Sequence, residues 1–402
     1  MPTAPIPHFY DNPHSSSIHP AVVVQPKELV RLPPLQLKSE ALEYESDENE
    51  QARFAWRVVS TANKKRILLL APLGPGSGNA ATASRLAHGL CQSSEITVDC
   101  LSVDMPHTDS DSLLALIHRY DVVLALHVYR AGHLLTSIYQ NNSDLPPLIL
   151  IFAGTELHSC LLEWMPTIEQ IVPKARGLVC FSTEWKKYVE STYTNLLACP
   201  ITVIPQSVLL SPSIIEQSPF SVPLLSSRKT ILWAGQIRQV KDPLFAVRIM
   251  SHLDDHEFQL SIVGYETDQS LVNAIRSSCS RSNVTLTGGQ STGHVHALMR
   301  TAFAYLNTSI NEGMCLAILE AMALRLPVIA RRNTGNISIV THGKTGLLFE
   351  TPEQAAQCLS QLAKDTALRE TLIQQAADQV KKVHSPTAES REYRNLIFSL
   401  LE

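Results

Sequence analysis

Paired cysteines are missing from this chain. Its eight cysteines (Cys91, Cys100, Cys160, Cys180, Cys199, Cys279, Cys315 and Cys358) never fall in a C-x-x-C spacing, so no structural zinc is expected. Several stand in apolar stretches, as reduced buried thiols do, which points to a reducing compartment. Charge is sparse: 17 % of residues are charged, the formal net charge is −4, and no basic block occurs. That argues against nucleic acid as a partner. The longest apolar runs, such as 145–153, fall well short of the roughly 20 residues that a membrane-spanning helix needs, so no transmembrane segment is expected. A charged start followed by an apolar run is also lacking, so no signal peptide is expected and a cytoplasmic protein follows. No H-x-x-x-H or D-x-D arrangement supports a metal site, and no cofactor is called for.

What is present suits large cores. The chain has 402 residues, 45 % of them hydrophobic, and that length is the natural size of two domains. Residues 1–63 differ from the rest. They are rich in Pro, carry a Ser/His patch (His14 to His19) and an acidic run (Glu43 to Glu50), and read as a disordered extension with a short helix near 51–59. From Lys65 onward, short apolar strands alternate with helical patterns. This repetition predicts an α/β fold with two Rossmann-like, doubly wound parallel-sheet domains facing a cleft. The expected boundaries are 64–207 for the first domain, a Pro/Ser-rich linker at 208–228, 229–384 for the second domain, and a C-terminal helix at 385–402.

In such sheets the C-terminal ends of the strands line the ligand crevice. That rule brings several loops together. Gly74-Pro-Gly76-Ser-Gly78-Asn79 separates a strand from a helix, and it lets backbone approach a ligand at a helix N-terminus. His127, with Arg130 behind it, ends another strand, before a helix expected over 133–140. Thr155-Glu156 ends a third. In the second half, Arg238 and Lys241 directly follow the strand 229–234. A guanidinium fork and an ammonium point charge at that place suit a concentrated negative charge such as a phosphate.

The stretch 301–330 carries the strongest signal. A short apolar strand breaks at Asn311-Glu312-Gly313, an apolar helix follows from Met314 to Leu324, and another strand closes the unit. Glu312 lies in the loop and Glu320 in the helix, eight positions later. Carboxylates in so apolar a setting are costly unless something pairs with them. The amides of Gly313, Met314, Cys315 and Leu316 open the helix and can meet phosphate or sugar oxygens. Gly335-Asn336 is a further turn toward the cleft. The remaining histidines, including His294 and His296, are expected at the surface.

This strand–loop–helix–strand unit resembles the E-x7-E motif of the retaining family-4 glycosyltransferases (glycosyltransferase group 1). The wording EGMCLAILEAMALRLPVIAR, followed by GN and GKTGLLF, is most similar to the glycosyltransferase 1 domain-containing protein 1 group and its bacterial relatives. The resemblance covers roughly Lys65 to the C-terminus. It implies a GT-B fold whose last helix returns to the first domain. It also implies metal-independent transfer of a sugar, with retention, from a nucleotide-diphosphate sugar (a UDP- or GDP-sugar) to an acceptor the sequence does not identify. The catalytic set would be Glu312, His127, Arg238 and Lys241. Donor contacts would come from Arg238, Lys241, Gly313, Met314, Cys315, Leu316, Glu320 at the ribose, and Asn336. Gly76, Gly78, Asn79 and Thr82 would form the phosphate and acceptor loop. A nucleotide-sugar epimerase or hydrolase on the same fold, or a silent nucleotide-sugar-binding protein, would share most of these residues.

Overall fold

Short apolar runs bounded by Gly, Pro and Asp become strands buried on both faces, the pattern of parallel sheets under helices. The computed structural model describes residues 55–57, 64–74, 76–104, 109–154, 161–210, 228–279 and 283–402. The first sheet contains β1 (Ala55–Arg57), β2 (Lys65–Ala71), β3 (Ile96–Ser102), β4 (Val122–Leu126), β5 (Leu148–Phe152), β6 (Gly177–Cys180) and β7 (Ile201–Val203). Every residue of β4 and β5 is buried. Helices α1 (Gly78–Cys91), α2 (Ser110–Ile117), α3 (Val128–Asn141), α4 (Leu161–Ile171) and α5 (Thr183–Thr192) connect them. The order across the sheet is β1-β3-β2-β4-β5-β6-β7. All neighbours are parallel except β1, which pairs antiparallel with β3. The chain steps from β2 to β3 on one side and then crosses to β4 on the other, so the topological switch lies between β2 and β4.

The second sheet is built from β8 (Lys229–Ala234), β9 (Phe258–Val263), β10 (Val284–Thr287), β11 (Ala304–Asn307), β12 (Val328–Arg331) and β13 (Leu347–Phe349). Its order is β10-β9-β8-β11-β12-β13, wholly parallel. Here the switch lies between β8 and β11. The C-terminal helix Pro386–Ser399 packs on α1. One apolar cluster runs from Ile151 and Phe181 of the first half, through Tyr393 and Ile397 of that helix, to Met322 and Tyr305 of the second. No helix among the described residues is long and apolar enough to cross a membrane.

Three local expectations are corrected. The helix expected near 51–59 is instead strand β1 over 55–57, because the open edge of β3 offers those residues backbone partners that an isolated short helix lacks. Helix α3 begins at Val128 rather than His133, because His127 itself caps it. The helix after Glu312 spans Leu316–Ala323, with Cys315 as its N-cap. Thr155-Glu156, most of the linker and nearly all of the N-terminal extension lie outside the described residues.

Candidate active site

The two switch points put charge at the mouths of the sheets. After β8 the chain passes through Gly235 and is pinned beside the end of β9. The Ile237 N–H donates to the Tyr265 carbonyl (2.9 Å), and Thr267 Oγ1 donates to the Ile237 carbonyl (2.8 Å). Arg238 and a single 3-10 turn over Gln239–Lys241 follow. Across the switch, β11 ends in Asn307, and the loop 308–315 brings Glu312 back. Lys241 Nζ donates to Glu312 Oε1 at 2.6 Å. Ser309 Oγ (2.6 Å) and Asn307 Nδ2 (3.3 Å) donate to the same oxygen. All three bonds reach Oε1, and Oε2 receives none of them.

Electrostatics follow from this packing. Burial alone would raise the Glu312 carboxyl. The charge of Lys241 and the hydrogen bonds from Lys241, Ser309 and Asn307 outweigh it and hold the group below the usual carboxylate range. Glu312 is therefore an anion at neutral pH. Arg238 is pulled the other way: burial lowers its pKa from the ordinary guanidinium value, Glu312 opposes that, and Arg130 of the first domain adds to it. Arg238 Nε is buried with no hydrogen-bond partner. A buried donor without a partner is costly, and an anion arriving from the cleft would supply one.

The first sheet contributes His127 at its own switch. The residue is buried, sits at φ 74° and caps α3, with Nδ1 accepting from the Arg130 N–H at 3.4 Å. A positive φ is uncommon outside glycine, and histidine is one of the side chains that accept it. Its ring lies 6.0 Å from that of Trp164, which stacks on Tyr129 at 4.5 Å. The Arg130 guanidinium pairs with Asp104.

The two halves meet at Gly154 and Gly313. A Cβ on Gly313 would stand 2.5 Å from the Gly154 Cα and 2.4 Å from the Ala153 carbonyl oxygen. Only glycine permits that approach, so Gly313 is fixed by the backbone just after β5 as well as by any ligand. Met314 and Cys315 are buried beside it. Burial pushes the Cys315 thiol up to about 12, the Glu312 charge adding to the rise, so it is no nucleophile. Leu316 opens the helix Leu316–Ala323.

Other candidates fall elsewhere. Glu320 projects from that helix with Oε1 3.5 Å from His296 Nε2. His296 is fully buried, against the expectation of a surface residue. It shares with Met299 the inward face of its helix, and that helix packs on the one carrying Glu320. His294 is exposed. Asn336 is also fully buried. Its Nδ2 donates to Asn307 Oδ1 (2.9 Å) and the Arg331 carbonyl (2.8 Å), which ties the amide nitrogen to the end of β11, while its Oδ1 is buried with no partner. In the Gly-rich turn, Ser77 Oγ caps α1 through the Asn79 N–H (3.2 Å), Gly78 is exposed, and Gly76 packs on the Tyr265 ring of the second half. Thr82 Oγ1 donates to Gln206 Oε1 at 2.7 Å in a buried network. Sequence reasoning missed Asn307 and Ser309. Both are polar residues at the end of an apolar strand five and three positions before Glu312, and that placement was the available signal.

Comparison with known proteins agrees with this architecture. Residues 215–379 match the family described as Glycosyl transferases group 1. A Xenopus tropicalis protein named Glycosyltransferase 1 domain-containing protein 1 is 28 % identical over 349 residues, spanning 83 % of this chain and 98 % of its own length. Among solved structures, sucrose-phosphate synthase from Thermosynechococcus elongatus superposes with a TM-score of 0.69 at 14 % identity, covering 84 % of this chain and 99 % of that one. Anabaena HepE in complex with UDP-glucose gives 0.67 at 15 %, covering 83 % and 99 %. At such identities the structural likeness speaks for the fold alone. Two doubly wound sheets facing a cleft make this a chain of the GT-B fold, and the match to glycosyl transferases group 1 runs across its second sheet.

Proposed function

We propose that the protein is a retaining glycosyltransferase that moves a sugar from a nucleotide-diphosphate donor, UDP- or GDP-linked, to an acceptor held against the first domain. The observation that carries this reading is the cluster at the second switch point. Arg238, with its buried unpartnered Nε, stands on the loop that leads to Lys241, and Lys241 bonds the ionised Glu312. A preorganised cluster of this kind is suited to a diphosphate and gains most when the diphosphate departs. HepE, a structural neighbour, was crystallised with UDP-glucose, which favours the same donor class here.

In the proposed reaction the bond from the anomeric carbon to the diphosphate oxygen breaks, and the acceptor oxygen bonds that carbon on the same face. The acceptor proton passes to the departing phosphate oxygen. Arg238 and Lys241 meet the charge that grows there. The Met314 and Cys315 amides offer further donors. Glu312 orients Lys241 through Oε1 and presents Oε2 to the sugar hydroxyls. Glu320 takes the ribose hydroxyls, and His127 lies against the sugar from the first domain.

The test begins with thermal denaturation in UDP, GDP, ADP and their common sugar conjugates. A ligand at a hundred times its Kd adds about 2.7 kcal/mol and raises the midpoint by a few degrees. One responding nucleotide, with the response lost in Glu320→Ala, is expected. The responding sugar conjugate is then followed by NMR for the anomeric configuration of the product. No response to any nucleotide would overturn the donor reading, and an inverted product would overturn retention.

A further inference from the structure

The loop after Glu312 is held from the other half of the molecule by two side chains that no functional assignment has reached. Trp185 of α5 donates its indole N–H to the Gly313 carbonyl at 2.5 Å. Gln206, just beyond β7, donates Nε2 to the Met314 carbonyl at 3.0 Å. Both side chains are buried, at 1 % and 3 % exposure, so solvent does not compete for these bonds. The Gln206 amide cannot turn round. Its Oε1 already accepts from Thr82 Oγ1 (2.7 Å) and Arg85 Nη2 (3.0 Å), which leaves only the NH2 to face Met314.

Holding two successive carbonyls fixes two successive peptide planes. In a trans peptide the C=O and N–H point in opposite directions, and no cis bond occurs here. With the Gly313 and Met314 oxygens drawn toward the first half, the Met314 and Cys315 N–H groups face away from it. Neither donates a backbone hydrogen bond among the described residues. They stand at the entrance of a helix whose N-cap makes no side-chain bond. We propose that Trp185 and Gln206 are positioning residues of the donor site: they clamp the Gly313 and Met314 carbonyls and so aim the Met314 and Cys315 amides at the donor's phosphate oxygens. This rests on the donor reading above and extends it. The first half would shape the donor site through backbone it does not own, and the clamp would hold only while the two halves are together.

Gln206→Glu isolates the effect. Glutamate is nearly isosteric and keeps an oxygen for Thr82 and Arg85, but it places an acceptor opposite the Met314 oxygen. Trp185→Phe removes the other donor and keeps an aromatic ring. Ser207→Ala is the control: Ser207 is fully buried and bonds Glu389 Oε2 at 2.5 Å in the same network, without touching the loop. The full-length protein and these three variants are titrated with UDP and GDP by calorimetry. Amide exchange of the segment 312–318 is followed without nucleotide. Expected are a loss of at least fivefold in nucleotide affinity and faster exchange in Gln206→Glu and Trp185→Phe, with Ser207→Ala close to the parent. Unchanged affinity in both clamp variants, beside a parent that binds, would overturn the clamp and leave the donor reading standing. An equal loss in Ser207→Ala would reduce the effect to general loosening and also overturn it. A parent that binds neither nucleotide would overturn the donor reading, and the clamp with it.

Discussion

Arg85–Glu389 is a buried ion pair and Lys241–Glu312 a partly buried one, and their surroundings differ. The first joins α1 to the C-terminal helix. Arg85 meets Glu389 through two bonds, Nε to Oε2 at 2.9 Å and Nη2 to Oε1 at 3.0 Å, and the side chains are 4 % and 3 % exposed. Ser207 and Gln206 close the network. The second has a single short bond and lies at the cleft, with Lys241 20 % exposed and Glu312 8 %. One carboxylate is bonded on both oxygens and sealed under a helix. The other has three bonds on Oε1 and none of them on Oε2; an unpartnered arginine nitrogen is common to both, Arg85 Nη1 in the first and Arg238 Nε near the second. Burial and pairing alone do not mark a functional site. What differs is the carboxylate: both oxygens of Glu389 are bonded, whereas the bonds to Glu312 all reach Oε1.

Breaking the first pair and removing the arginine beside the second should give opposite phenotypes. Glu389→Ala strands a buried guanidinium and should cost about 3–5 kcal/mol of stability, measured by chemical denaturation. Replacing both partners by Met and Leu should recover most of that loss, because the cost is the unpaired charge. Nucleotide affinity in the folded double variant should fall less than in Gln206→Glu, because Thr82 still holds the Gln206 oxygen after Arg85 is gone. Failure of the double replacement to recover stability would mean that the latch works through shape rather than charge.

Arg238→Ala should leave the folding midpoint almost unmoved and lower kcat/KM by about 10²–10³, the effect of removing one preorganised donor from a developing anion. A loss below tenfold would mean that Arg238 supplies under ~1.4 kcal/mol to the transition state. The contrast with the latch would then fail.

The fold was legible because parallel strands buried on both faces leave continuous apolar runs, and the switch-point rule then selects which loops matter. Arg238, Lys241 and Glu312 stood out as charged residues directly after such runs. Other roles depend on partners far away in sequence. Gln206 and Met314 are 108 residues apart, and Trp185 and Gly313 are 128 apart. Neither pair leaves a local signature. His296 looks like a surface histidine until the neighbouring helix covers it. Asn336 stands at a turn that points toward the cleft, and only the geometry shows its amide turned inward to Asn307. Strand β1 needed the edge of β3, which no local pattern over 55–57 announces.

A finer test removes one bond from the cleft pair. Ser309→Ala deletes a 2.6 Å donor to Glu312 Oε1 and leaves Lys241 in place. A hydrogen bond to a charged group contributes about 1.5–3 kcal/mol, so activity should fall less than in Arg238→Ala, mostly in KM for the donor. A fall in kcat alone would place Ser309 on the reacting face instead.

The smallest effect is in pH, and it separates the two regions by window. His384 lies at the latch, with Nδ1 2.6 Å from the Gln206 carbonyl. Burial lowers its pKa from the ordinary value, against the opposing pull of the Gln206 bond and Glu389. The unfolded chain therefore binds a proton near pH 6.5 that the folded chain resists, so stability declines as pH falls below about 6.5. Glu312 is also held low, and its contribution persists above the ordinary glutamate pKa and is lost only as pH falls through the lower folded value. Between pH 7 and 5 the latch should thus loosen while the cleft pair stays ionised. Denaturation across that range should show a decline that His384→Gln flattens and Glu312→Gln does not. If Glu312→Gln removed the decline instead, the cleft pair would be the weaker of the two near neutrality, and the division into structural latch and open binding pair would be reversed.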